Sequence, residues 1–163
     1  MSAPILSKHA PMPRVAEVCG DDAEVLALSV ARFVAAGYMT RDIACWDAAF
    51  DGAETLLGAE AGGRFVSGIV GVVRALRAKR ADDGPFMQAT CCRLTGHECA
   101  LVGLIGRGQR RLWGEVERGA AAITGRPEAP RLVAALRAAV GPIDEAAGRL
   151  GASKRRPDGA ALH

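Results

Sequence analysis

Along most of this chain the apolar residues recur at alternating steps of three and four, and each such stretch is opened by a capping side chain or closed by a glycine. That period belongs to α-helices with one buried face, and it excludes the strict alternation of a half-buried strand. Composition agrees where it bears on the choice. Half of the residues are apolar and only 4% are aromatic; the apolar set is chiefly Ala, Val and Leu, which suits packed helices better than sheets. A length of 163 residues fits a single core. The expected fold is therefore all-α, a compact single-domain bundle of about six to eight helices. The helical domain is expected over residues 21–150, with a flexible N-terminal arm at 1–20 and a disordered basic tail at 151–163.

The spacing predicts a first helix from about Asp21 to Ala36, with Leu26, Val30, Phe33 and Val34 inward and Gly37 as its stop. Thr40 is expected to cap a second, in which Ile43, Trp46, Phe50, Ala53 and Leu57 share one face and Gly58 ends the run. Asp47, Asp51 and Glu54 line another face, read as a solvated acidic stripe. The third, from about Gly62 to Lys79, carries Gly63, Ser67 and Gly71 at every fourth position. Such a ridge of small side chains lets a second helix backbone approach closely, either within the bundle or across a dimer seam. Pro85 is expected to open a short helix to about Arg93. Thr95 and Glu98 match a capping box, and the helix they open is expected to break at Gly106 to Gly108. Two more helices follow, Arg110 to about Ile123 and Pro130 to Val140; Gly141 and Pro142 then interrupt before a last short one.

No run reaches about 18 uninterrupted apolar residues, so no membrane span is expected. The N-terminus lacks the basic and apolar pattern of a secretory signal. A cytoplasmic location follows, in which the five Cys stay as thiols. The net charge of +3 conceals an asymmetry: residues 1–60 hold nine acids against four bases, whereas the remainder holds 17 bases against nine acids. This polarity suits matching inside the fold or between subunits, and also an acidic partner such as nucleic acid.

Chemistry-bearing residues concentrate around Thr95. Cys91, Cys92, His97 and Cys99 place three thiols and an imidazole within nine residues, a donor set suited to a transition metal or to haem. Their spacing departs from that of structural zinc sites, and burial as small core residues is the simpler reading. Among them Cys99, in the first turns of its helix, is the candidate reactive thiol, although Glu98 beside it opposes ionisation. Arg107, Arg110 and Arg111 are the candidate nucleic-acid contacts, and the segment from Leu94 faintly resembles the first helix of some bacterial helix-turn-helix domains. The chain has no Ser-His-Asp set, no phosphate-binding loop and no dinucleotide fingerprint. The leading expectation is a non-catalytic regulatory or protein-interaction protein that forms a homo-oligomer. The alternatives are a metal- or haem-binding redox sensor and a DNA-binding transcriptional regulator.

Overall fold

The computed structural model describes residues 12–77 and 86–154. Among them lie seven helices and no strand: α1 Val15–Val18, α2 Asp22–Thr40, α3 Ile43–Leu57, α4 Ala59–Arg77, α5 Gly96–Gln109, α6 Trp113–Thr124 and α7 Pro130–Lys154. The all-α bundle expected from the apolar period is what forms. Helices α2, α4 and α7 make its centre, with α3 packed on α2 and α4, and α6 on α5. The main core runs through Val30, Val34, Phe65, Ile69, Val73, Leu101, Leu104, Leu136 and Ile143, all almost wholly enclosed.

Several glycines read as helix stops are contact points instead. α2 does not end at Gly37 but runs to Thr40 and closes on Arg41 in the left-handed region. At Gly37 the indole of Trp46 lies so near that a Cβ would sit 2.5 Å from its Nε1. α5 likewise continues through Gly106 and Gly108; a Cβ at Gly108 would come within 2.9 Å of Val140 on α7. The close approach of α4 to its neighbours uses Gly62 and Gly68. Their Cβ positions would meet the Glu54 backbone of α3 at 2.7 Å and Ala139 Cα of α7 at 3.1 Å. The row Gly63, Ser67, Gly71 points elsewhere: Ser67 is exposed, and a Cβ at either glycine would meet nothing within 4 Å.

Other boundaries shift for identifiable reasons. Asp42 rather than Thr40 caps α3, its Oδ1 accepting from the Ala44 amide at 2.9 Å, while Thr40 donates back to Ala36 O of its own helix. Ile43, at the head of the predicted inward stripe, stands beyond the edge of the core at 73% exposure. α6 begins at Trp113, not Arg110, because α5 overruns. α7 passes through Pro142 without a break. A proline inside a helix costs about 3 kcal/mol, and burial of Leu132, Leu136, Ala139 on one side and Ile143, Ala146 on the other holds the helix together across it.

The short helix expected after Pro85 is absent over residues 86–93, which form turns and an extended run. The N-terminal segment docks on that run: the Leu94 amide donates to Pro13 O at 3.0 Å and the Val15 amide to Cys92 O at 2.9 Å. Of the predicted flexible arm, residues 12–20 are therefore seated, and residues 1–11 lie outside the described set. Of the predicted tail, residues 151–154 extend α7, and the rest lie outside the described set. α2 alone among the described helices is long and apolar enough by length and composition to cross a membrane. Here it packs against α3, α4, α5 and α7, and Arg32 sits in its middle.

Candidate functional site

The corner formed by α1, the 86–95 run, the start of α5 and the middle of α2 holds most of the chain's unusual side chains. Its organiser is a pair of charges taken out of water. Arg32, the only charged residue of α2 beyond the first turn, is 3% exposed, and Glu98 of α5 is 0% exposed. They form a two-pronged ion pair, Nε to Oε1 at 2.7 Å and Nη2 to Oε2 at 3.0 Å. A buried pair of this kind is tolerable only when the remaining donors and acceptors are also satisfied. They are: Arg32 donates further to Cys91 O and Arg93 O, both at 2.6 Å, and Glu98 accepts from the amides of Met87 and Thr95, both at 2.9 Å.

The predicted capping box is present, with Thr95 Oγ1 accepting from the Glu98 amide at 3.1 Å. Glu98 thus does two things at once: it finishes the N-terminus of α5 and neutralises a guanidinium in the core. Burial alone would push its carboxyl up; the Arg32 hydrogen bonds and those from Thr95 and Met87 outweigh that and hold it below the ordinary carboxylate value. Through Arg32 the pair also fixes the carbonyls of residues 91 and 93. The run is extended, so alternate groups face opposite ways, and Cys92 O and the Leu94 amide are left for the N-terminal segment.

The four residues read as a metal or haem set are neighbours in sequence that the fold spreads apart in role. Cys91 and Cys92 lend their backbone carbonyls, to Arg32 and to Val15; the Cys92 side chain is exposed. His97 lies edge-on to Phe86, ring centres 6.1 Å apart. Cys99 turns toward a small satellite core of Leu28, Leu94 and Val102. Among the described residues no three His, Cys, Asp or Glu are gathered so as to hold a metal ion. Adjacent side chains on this backbone diverge, and the corner is closed by the ion pair instead.

Cys19 of the N-terminal segment packs against the same satellite core as Cys99, a neighbour that sequence distance concealed. Burial, then Glu24 and Asp21, push the Cys19 thiol up to about 11. Burial, then Glu98, raise Cys99 as well. The reading of Cys99 as an activated thiol finds no support here: burial and Glu98 raise it against the pull of the helix N-terminus, as burial and acidic neighbours raise Cys19. Beside them a cleft of about 460 Å³ opens between the α1–α2 turn and α5, lined by Val18, Glu24, Cys99, Val102 and Arg110. Burial raises the Glu24 carboxyl too, its own N-terminal hydrogen bond from Gly20 notwithstanding.

The three arginines read as nucleic-acid contacts are arranged around the α5–α6 turn. Arg107 pairs with Glu115 at 3.3 Å. Arg111 adopts a left-handed conformation at φ 62, from which it donates to Gly108 O and Gln109 O at the end of α5 and to Asp144 at 2.8 Å. Arg110 is the C-cap residue of α5 and faces Glu24 electrostatically. Two of the three are thus occupied by carboxylates of the fold, and all three serve the ending of one helix. Of the residues that organise the corner, Arg32 and Cys19 escaped sequence reasoning. A single charge beyond the first turn of a 19-residue apolar helix was the signal available for Arg32; none pointed to Cys19. No protein-family profile, curated protein or solved structure matches this chain.

Proposed function

We propose that the protein is a non-catalytic interaction protein that self-associates through the outer face of α4. The observation that carries this reading is the row Gly63, Ser67, Gly71. Two of its members are glycines with open space where a side chain would be, and Ser67 between them is exposed. Glycine inside a helix costs about 1 kcal/mol relative to alanine. At Gly62 and Gly68 the packing of α3 and α7 accounts for that cost; at Gly63 and Gly71 nothing within the described chain does. A second helix backbone laid along the row supplies the missing reason. Half-buried Val70 and exposed Arg74 border it, giving the apolar centre and polar rim usual at an interface.

The polar groups of the Thr95 corner support the same reading from the other side. Arg32, Glu98 and Thr95 are occupied in holding the fold, and burial raises the thiols of Cys19 and Cys99 rather than activating them. Sedimentation velocity at tens of micromolar, a range suited to modest self-association, tests the proposal. The wild-type chain should sediment as an oligomer and Ser67→Arg as a monomer with unchanged helicity. A wild-type monomer across that range would overturn it.

A further inference from the structure

We infer that the segment Met12–Cys19 is a latch that opens as a unit while the bundle beneath it stays folded, and that its opening gates chemical access to Cys19 and Cys99. The latch and its seat are built very differently. The seat, residues 91–94, is fixed from behind by the enclosed Arg32–Glu98 pair through the carbonyls of 91 and 93. In front, the latch is held by two backbone hydrogen bonds, Leu94 amide to Pro13 O and Val15 amide to Cys92 O, and by Arg93 Nη1 donating to Met12 O at 2.8 Å.

α1 is a single turn of four residues, none of which is fully buried. Its apolar contribution is Val15 and Val18, half-buried over Leu28, Leu94 and Val102, a cluster separate from the main core. Segments with few buried apolar contacts and short ladders of hydrogen bonds open with free energies well below that of global unfolding. Lifting the latch breaks these few contacts and leaves every main-core contact intact. It also takes Cys19 away from its burial and uncovers the satellite core against which Cys99 packs. Attack on an electrophile or oxidant requires the thiolate; closure leaves both thiols half-buried, so it slows them through reduced access and through ionisation together.

The experiment is time-resolved labelling of the full-length reduced chain with N-ethylmaleimide, each cysteine followed by peptide mass spectrometry. Exposed Cys92 should label first. Val15→Asp, which removes the centre of the latch, should accelerate Cys19 and Cys99 by one common factor of about tenfold or more, the equivalent of one lost valine burial, and leave Cys45 on α3 unchanged. Ile69→Val, which weakens the main core, should lower the urea midpoint yet change the labelling of Cys19 and Cys99 by less than about twofold, as expected of a sub-global opening. Acceleration of both thiols by Ile69→Val in step with its loss of global stability would overturn the inference, as would a Val15→Asp chain of native helicity in which Cys99 reacts at the wild-type rate.

Discussion

Arg32 and Glu98 stand 66 positions apart, and each is legible only in part from its surroundings in sequence. Glu98 announces itself as the third helical residue of a capping box, a local signal that holds because the partners are three residues apart. Its second partner comes from α2 and could not be read locally. Removing one member of a buried pair leaves the other charge without compensation and costs about 3–5 kcal/mol. Glu98→Gln should lose stability of that order at pH 7, measured by urea denaturation. The sign of the pH effect follows from the lowered carboxyl. The unfolded chain takes up this proton near the ordinary value of 4.5 and the folded chain only below it. The stabilisation is therefore fully present above about 4.5 and lost as pH falls through the folded value. The gap between wild type and Glu98→Gln should close over that acid range; a gap independent of pH from 7 down to 3 would show that the carboxylate charge contributes nothing.

At the scale of elements, the apolar period located the helices well, and the errors cluster where a glycine or proline was taken as punctuation. Gly37, Gly106 and Gly108 lie inside helices, as does Pro142. A glycine at a helix end and a glycine under a neighbouring indole look alike in one dimension; only the three-dimensional neighbour, Trp46 or Val140, separates them. The reverse failure is the run after Pro85, where helical propensity yields to Arg32, which requires the carbonyls of 91 and 93 for itself. The distinction between contact glycines and open ones can be measured. Gly62→Ala places a methyl 2.7 Å from the Glu54 backbone, which cannot move aside, and should destabilise by about 1–3 kcal/mol. Gly148→Ala, exposed in α7 with nothing near, should stabilise by about 0.5–1 kcal/mol. Urea midpoints moving in the same direction for both variants would contradict this account of the packing.

For the whole molecule, the acidic front and basic rear resolve into a specific pattern. Ion pairs join the two where Lys154 at the end of α7 reaches Asp22 at the start of α2, at 2.7 Å, where Arg64 meets Glu60, and where Arg32 meets Glu98. Some of the bases also find carboxylates within the rear itself, as Arg64 with Glu145, Arg107 with Glu115 and Arg111 with Asp144. The acids Asp47, Asp51 and Glu54 of α3 enter none of the described ion pairs; Asp47 and Asp51 are exposed, as the reading of a solvated stripe expects, whereas Glu54 is half-buried. Along the glycine row on the outer face of α4, bordering Arg64 is already paired to Glu60 and Glu145, while exposed Arg74 enters none of the described ion pairs.

The proposed association has a geometric consequence. The row Gly63, Ser67, Gly71 is symmetric about its centre, and most homodimers are built on a two-fold axis that brings one patch against itself. An axis passing beside Ser67 would set the two copies of that position within the roughly 4.4–6.8 Å between Cα atoms that a disulfide spans. Mild oxidation of Ser67→Cys, followed by peptide mass spectrometry, tests this directly. The account predicts a covalent dimer linked from position 67 to position 67. A chain that remains monomeric under oxidation, or dimers joined only through the native thiols, would contradict it.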